Sequence, residues 1–522
     1  MLPKLLSRWL DLGRVEASKG IVLCFLTGFM VRLIPELLAY PYPVGFDTVY
    51  YASRMKSGIV WNHWTQFFTS TWLLYAFIIP IYNLSHIDPF LILKIVTPVL
   101  YGLNVAGIYF FAKEVLGWNT TKSLMAGCFF SVQLASLRIS WDLLRNILGM
   151  AILLFALTLT TRISTKRGLA CFILLSLLTV FSHELAAVTL LIVVLGSIFW
   201  RLTKEQTKMS DKRTFFGVLP ALIVFLAGIY FRLFPIPYKI KTNVISAKDV
   251  NVGNVGVFFL VNYLDVKTSV DYYTSYFDLT LNVLTLFCVL YLPYLFLVLK
   301  GFFRHRILDF WTCLLTVGSF GCLILPFCAL LLWHRWMFML VYTFTFYAVN
   351  GLDKLLKKRN SCSFAVKLKN SERKVKGMLL LTVLLGCVYL ATPVLMNTFN
   401  VGISSIPYVC RYFSVSPTVP YQDVGTVINA MEWLDKNMED NSCVILHHAF
   451  FFWGSLYLNN SHIIVHFTNN ITAALNICFE NGFSPIYFVW WNQDIGWYGF
   501  TPPDYFSPVE NFGRISIFKY MG

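Results

Sequence analysis

Twelve apolar runs recur between residues 20 and 397, and most are long enough to cross a bilayer. They fall at roughly 20–40, 66–85, 89–112, 122–139, 146–162, 168–183, 184–200, 214–234, 278–299, 307–332, 334–350 and 377–397. A helix of about 20 apolar residues matches a hydrocarbon core roughly 30 Å thick. With 57% hydrophobic and 13% charged residues, the chain reads as a multi-pass α-helical membrane protein. Residues 1–19 hold a short apolar stretch broken by charge, which reads as an amphipathic lead-in and not as a cleavable signal.

The net charge of +16 would suit a nucleic-acid partner if the charge were spread over one face, but it is not. Six short stretches hold 26 of the 42 Lys and Arg: 1–20, 113–122, 162–167, 201–213, 300–306 and 354–376. Basic loops beside spans mark the cytoplasmic side. All six share one side only if one early apolar run does not cross. The best fit is 66–85, which is aromatic-rich and broken by Pro80, as suits an interfacial helix. The reading is therefore about eleven spans, with a cytoplasmic N-terminus and an extracytoplasmic C-terminus. It puts 41–88, 140–145, 183–184, 235–277, 333–336 and everything after about 398 on the outer face.

The tail has a different character. Beyond Asn400 there are four Lys and Arg against nine carboxylates. A helical pattern at 421–438 precedes strand-like runs at 443–447, 462–467, 485–491 and 514–520. Strand alternating with helix implies a small α/β unit, dividing the chain into 1–397 and 398–522. Of its Cys410, Cys443 and Cys478, one pair at most can join. No CxxC occurs, which argues against zinc.

Chemistry-bearing residues gather in the assigned outer turns. Asp47, in YPYPVGFDTVYY with Tyr50 and Tyr51, is either a general base or the cap of the next helix. Arg138, Asp142 and Arg145 either hold an anionic headgroup or form an Asp142–Arg145 pair at i,i+3 spacing. His183 and Glu184 sit between two apolar runs, His183 as a donor to phosphate or sugar or as a structural residue. Trp333-His334-Arg335-Trp336 either neutralises a phosphate or anchors at headgroup depth. Arg32 and Glu36 share a helix face, where Arg32 either pairs with Glu36 or reaches the headgroup site. Trp490-Trp491-Asn492-Gln493-Asp494 only loosely matches the WWDYG signature of oligosaccharyltransferases.

The acid in GFDTVYY after the first span, the Tyr/Trp-rich first outer loop, WDLLRN, the His-Glu turn and an outer domain after the last span resemble the GT-C superfamily of polyprenyl-phosphate-dependent glycosyltransferases. The resemblance implies a GT-C-like helical fold and inverting transfer of a sugar from a polyprenyl-phosphate donor to an extracytoplasmic glycan, lipid or protein. It implies Asp47 as catalytic base and Asp142 as a second outer-face acid. Arg335, Arg145, His183 and His334 would lie at the donor phosphate, with Tyr50, Tyr51, Glu184 and Arg32 in the substrate pocket. It implies no organic cofactor. Asp47 and Asp142 together leave room for a divalent cation, though carboxylates from two distant loops are a thin ligand set. The missing WWDYG favours transfer of one sugar over en bloc transfer of a glycan. A transporter or flippase is the rival from another class, and it would need repeat symmetry that the sequence does not show.

Overall fold

The computed structural model describes residues 17–204, 209–237, 243–247, 260–265, 273–361, 365–399, 408, 412–413, 416–468, 470–492 and 501–522. Five of its helices are long and apolar enough to cross a membrane: Ser18–Leu38, Pro89–Glu114, Glu184–Thr203, Met209–Leu233 and Arg306–Ile324. Two further pairs pass the same test but are bent, Thr120–Ser131 with Leu134–Asp142 by 61° and Tyr276–Tyr291 with Leu295–Gly301 by 77°. The run at 66–85 is divided into Gln66–Thr69 and Leu73–Ser85. At 13 residues the second piece is about 20 Å long, short of a hydrocarbon core.

Local sequence explains where the helices start. Asp88, Asn119, Thr165, Ser275 and Asn470 each accept a hydrogen bond from a backbone N–H of the following first turn. Pro89 follows Asp88 at a position where its missing N–H costs nothing.

The first helix is apolar on both faces, for different reasons. Val22, Leu26, Met30, Ile34 and Leu37 are exposed along one side, as a lipid-facing stripe is. On the other side Gly20, Cys24 and Gly28 recur every four residues, and this face packs on Pro89–Glu114. A Cβ at Gly28 would lie 2.6 Å from Val105, and one at Gly102 would lie 2.8 Å from the Phe25 carbonyl oxygen. Small residues at this spacing let two helix backbones approach inside a membrane.

The unit expected at 398–522 is not closed on itself: five strands of the tail and one from the middle of the chain form a six-stranded sheet. Its strands are β1 (Val244–Ser246), β4 (Cys443–His447), β5 (Ile463–Phe467), β6 (Ile486–Trp491), β7 (Phe506–Phe512) and β8 (Ile515–Tyr520). The order is β1-β5-β4-β6-β8-β7, parallel from β1 to β6 and antiparallel beyond. The outermost strand, β1, comes from the middle of the chain, some 200 residues before its neighbour. A separate two-stranded ribbon joins β2 (Leu260–Val261) to β3 (Ala329–Leu330), just before the Trp333–Trp336 turn.

Candidate active site

Gly45 places the acidic loop. Its φ of +93° belongs to glycine, and an added Cβ would lie 2.7 Å from the Asp142 Cβ and 2.8 Å from the Trp141 carbonyl oxygen. The loop therefore lies directly on the end of helix Leu134–Asp142. The Phe46 N–H donates to Asp142 Oδ2 at 3.3 Å, and the Thr48 hydroxyl donates to the Gly45 carbonyl at 2.5 Å.

Asp47 then starts helix Thr48–Ser57 without capping it through its side chain. Its carboxylate has no hydrogen bond or ion pair among the described residues. Burial, and then the charge of Asp142, raise its pKa to about 6, against the opposing pull of Arg335, Arg145 and Arg138. This is the environment of a carboxylate poised to take up a proton near neutral pH.

Asp142 is differently placed. Arg138 donates to its Oδ1 at 2.5 Å and Phe46 to its Oδ2, so both oxygens are engaged. Asp142 thus braces the loop and raises the proton affinity of Asp47. The i,i+3 pair with Arg145 does not form, because Arg138 at i,i+4 takes that place. Arg138 also donates to the Tyr412 carbonyl and is buried, so it joins the tail to the membrane part. Arg145 donates to the Thr71 hydroxyl at 2.8 Å and lies 5.9 Å from the Tyr50 ring centre. Its Nε is buried without a hydrogen-bond partner.

Arg32 is not a pocket residue. It is fully buried, pairs with Glu36 at 2.9 Å and donates to the carbonyls of Ser140 and Trp141 at 3.1 and 3.2 Å. Those carbonyls end a helix and need donors, so Arg32 closes the platform on which Gly45 rests. Lys94 shares Glu36 at 3.4 Å and completes the buried triad.

Trp333–Trp336 is the first turn of helix Trp333–Ser361 and not a separate loop, and it follows Leu332, whose φ of 58° is unusual for a branched residue. Both tryptophans are buried, which excludes an interfacial-anchor role for them. Trp333 donates through Nε1 to the Tyr273 hydroxyl at 2.8 Å, and Tyr273 and Tyr412 share a hydrogen bond of 2.6 Å. His334 stacks beside Tyr412, with ring centres 5.0 Å apart. Arg335 is half-exposed and has no side-chain partner among the described residues, yet its charge acts on both Asp47 and His183.

His183 Nδ1 accepts the Leu185 N–H at 3.2 Å, which leaves the ring proton on Nε2 as a donor. Glu184 pairs with Arg232, which also holds the Thr69 carbonyl, so its charge is spent beside the Asp47 cluster and not within it. Tyr51 is buried and Tyr50 half-buried, both in an aromatic cluster with Tyr75.

No three His, Cys, Asp or Glu side chains gather as a metal site among the described residues. Asp142 spends one contact of each carboxylate oxygen on Arg138 and Phe46, and Asp47 spends none among the described residues.

Helix His448–Tyr457 packs over this loop. Phe452 meets Tyr50 with ring centres 5.1 Å apart, Lys56 donates to the Leu456 carbonyl at 2.5 Å, and His448 stacks on Phe46 at 6.4 Å. The chain leaves β4 for β5 on one side and returns to β6 on the other, so His447 and His448 stand at a switch point of the parallel strands. Sequence reading missed His448. The signal was the His-His pair closing a strand-like run in an alternating pattern. Trp490 and Trp491 are core residues of β6, with Trp491 donating to Asp423 at 2.9 Å. Gln493 and Asp494 lie outside the described residues.

No protein-family model matches the chain, and no curated protein matches it. Among solved structures, ArnT from Cupriavidus metallidurans bound to undecaprenyl phosphate is similar at 10% identity and a TM-score of 0.48, over 97% of this chain and 98% of that one. Its apo state gives 11% and 0.47, over 97% and 98%. The Archaeoglobus fulgidus oligosaccharyltransferase, tethered to an acceptor peptide with an NVT sequon, gives 11% and 0.46, over 92% of this chain and 69% of that one. At TM-scores below 0.5 this likeness carries no argument about activity.

Proposed function

We propose that the chain is a membrane glycosyltransferase that moves one sugar from a polyprenyl-phosphate donor to an acceptor on the extracytoplasmic side, with Asp47 as general base. One observation carries the reading. Among the described residues Asp47 is an unpartnered carboxylate, its pKa raised to about 6, and the guanidinium of Arg335, which has no side-chain partner among them, acts on it. A base needs an open carboxylate of high proton affinity, and a departing phosphate needs a fixed cation.

In this reading Asp47 takes the proton of the acceptor hydroxyl or amide as that group attacks the anomeric carbon. The bond to the lipid phosphate breaks on the opposite face, with inversion, through an oxocarbenium-like state. Arg335, Arg145 and the Nε2–H of His183 balance the charge that builds on the phosphate. Asp142, Arg138 and Arg32 hold the loop and do not touch substrate. The acceptor approaches between the Asp47 loop and the His448 end of the sheet. The reading requires the Asp47 loop and the C-terminal sheet to share the extracytoplasmic side.

The test is to incubate membranes containing the chain with a panel of polyprenyl-phosphate sugars and to follow donor consumption and the mass added to acceptors. Consumption by the wild type and none by Asp47→Asn supports the proposal. Transfer of a whole glycan would replace single-sugar transfer, and uptake or flipping without bond cleavage would remove the enzyme reading.

A further inference from the structure

A second polar site lies far from Asp47. Helix Glu184–Thr203 starts at the His183 turn and carries Arg201 18 residues further on, which places Arg201 about 27 Å along the helix axis. There a cavity of about 260 Å³ opens between this helix, Leu144–Leu159, Met209–Leu233 and the start of Arg306–Ile324. Its inner wall is apolar, with Leu157, Val193, Val194 and Ile198. Its mouth carries Arg201, Asp211, His305 and Arg306.

Among the described residues the polar atoms are not balanced from within. Arg201 pairs with Asp211. Arg306 has no ion-pair partner among the described residues, and of the residues lining the cavity Asp211 is the one carboxylate facing Arg201 and Arg306. Arg306 Nε, His305 Nδ1 and the Ser197 hydroxyl are buried and lack hydrogen-bond partners, and all three residues line this one cavity. Ser197 is only 7% exposed. Buried polar atoms without partners are rare, and three of them beside one cavity point to a ligand. Beside the mouth, Phe199, Trp200, Leu202 and Phe302 are exposed, as suits a surface at headgroup depth.

We infer that this cavity binds an anionic phosphate headgroup of a membrane lipid, with the first carbons of its chain along the apolar wall. Arg306 would grip the phosphate through its planar fork, and the Ser197 hydroxyl would add a neutral hydrogen bond. The apolar wall favours a lipid over a free anion, since inorganic phosphate would leave Val193 and Ile198 uncovered. The site does not depend on the proposed sugar transfer.

The test uses the full chain in detergent, read by native mass spectrometry after titration with phosphatidylglycerol, phosphatidylcholine or inorganic phosphate. Retention of phosphatidylglycerol over phosphatidylcholine should fall about tenfold or more in Arg306→Gln and partly recover in Arg306→Lys. Ser197→Val, which leaves every charge in place, should also weaken retention. Circular dichroism melting of each variant separates lost binding from lost fold. Unchanged lipid selectivity in folded Arg306→Gln overturns the inference. Displacement of the lipid by millimolar inorganic phosphate assigns the cavity to a free anion and overturns the lipid.

Discussion

Replacing Asp47 by Asn should do two opposite things at once. The folded protein raises the Asp47 pKa from 3.8 to about 6. At pH 7 the ionised carboxylate is therefore held against its environment, at a cost on the order of 3 kcal/mol at 1.36 kcal/mol per pKa unit. The causes are burial and the nearby Asp142, and neither acts on a neutral amide of the same shape. Asp47→Asn should abolish transfer and at the same time stabilise the fold by up to that amount. For a chain of 522 residues this is about 2–3 °C in Tm. The sign follows from linkage. A carboxyl group with a raised folded pKa costs nothing below the unfolded value and its full amount above about pH 6. The stability gap between variant and wild type should thus be widest at pH 7–8 and close as the pH falls toward 4. Activity runs the other way: kcat/KM of the wild type should fall as the pH drops through about 6, because the base must be deprotonated. The assays are melting curves from pH 4 to 8 in one detergent and initial rates over the same range. A variant less stable than wild type at pH 7, or a flat rate profile through pH 6, would refute the reasoning.

Arg335→Ala should slow transfer by about 10²- to 10³-fold, the usual effect of losing one fixed donor at a developing anion, and Arg335→Lys should recover part of it. Equal rates in all three forms would remove Arg335 from the phosphate site. Gly45→Ala should cost both activity and stability, by about 1–3 kcal/mol, because a Cβ there meets the Trp141 carbonyl and the Asp142 Cβ and the backbone is left-handed. Wild-type melting in that variant would show that the loop is free to shift. The sulfurs of Cys443 and Cys478 are 3.1 Å apart and both buried, so mild oxidation of intact cells should join them. Peptide mapping without reductant should recover the two segments as one linked product. Persistent free thiols at both positions would place the sheet in a reducing compartment, against the outer assignment of the tail.

The alternating pattern of the tail and the apolar runs announced a helical membrane part and a sheet, because periodicity and length are local properties. The partners of the charged residues were not local. Arg32 meets carbonyls more than 100 residues away, and Arg138 meets Tyr412 across 274. Nothing in the spacing of Asp142 told whether Arg138 or Arg145 would claim it, since both lie within helical reach. Asp47 could be named from its setting, but excluding the cap needed the backbone. A cap accepts from the first turn, and Asp47 does not. The Trp333 and Trp336 rings resembled interfacial anchors by composition, and only the packing of Tyr273, Tyr412 and Gly318 around them showed that they belong inside.

The three-residue strand Val244–Ser246 gives the tail a dependence on the rest of the molecule. A fragment starting near residue 398 would leave Ile464, Val465 and His466 on a bare sheet margin, the kind of edge along which chains stick to one another. Biogenesis thus has an order. The middle of the polypeptide must already be delivered and waiting when the last hundred residues emerge, or the unfinished sheet will recruit a stranger's strand.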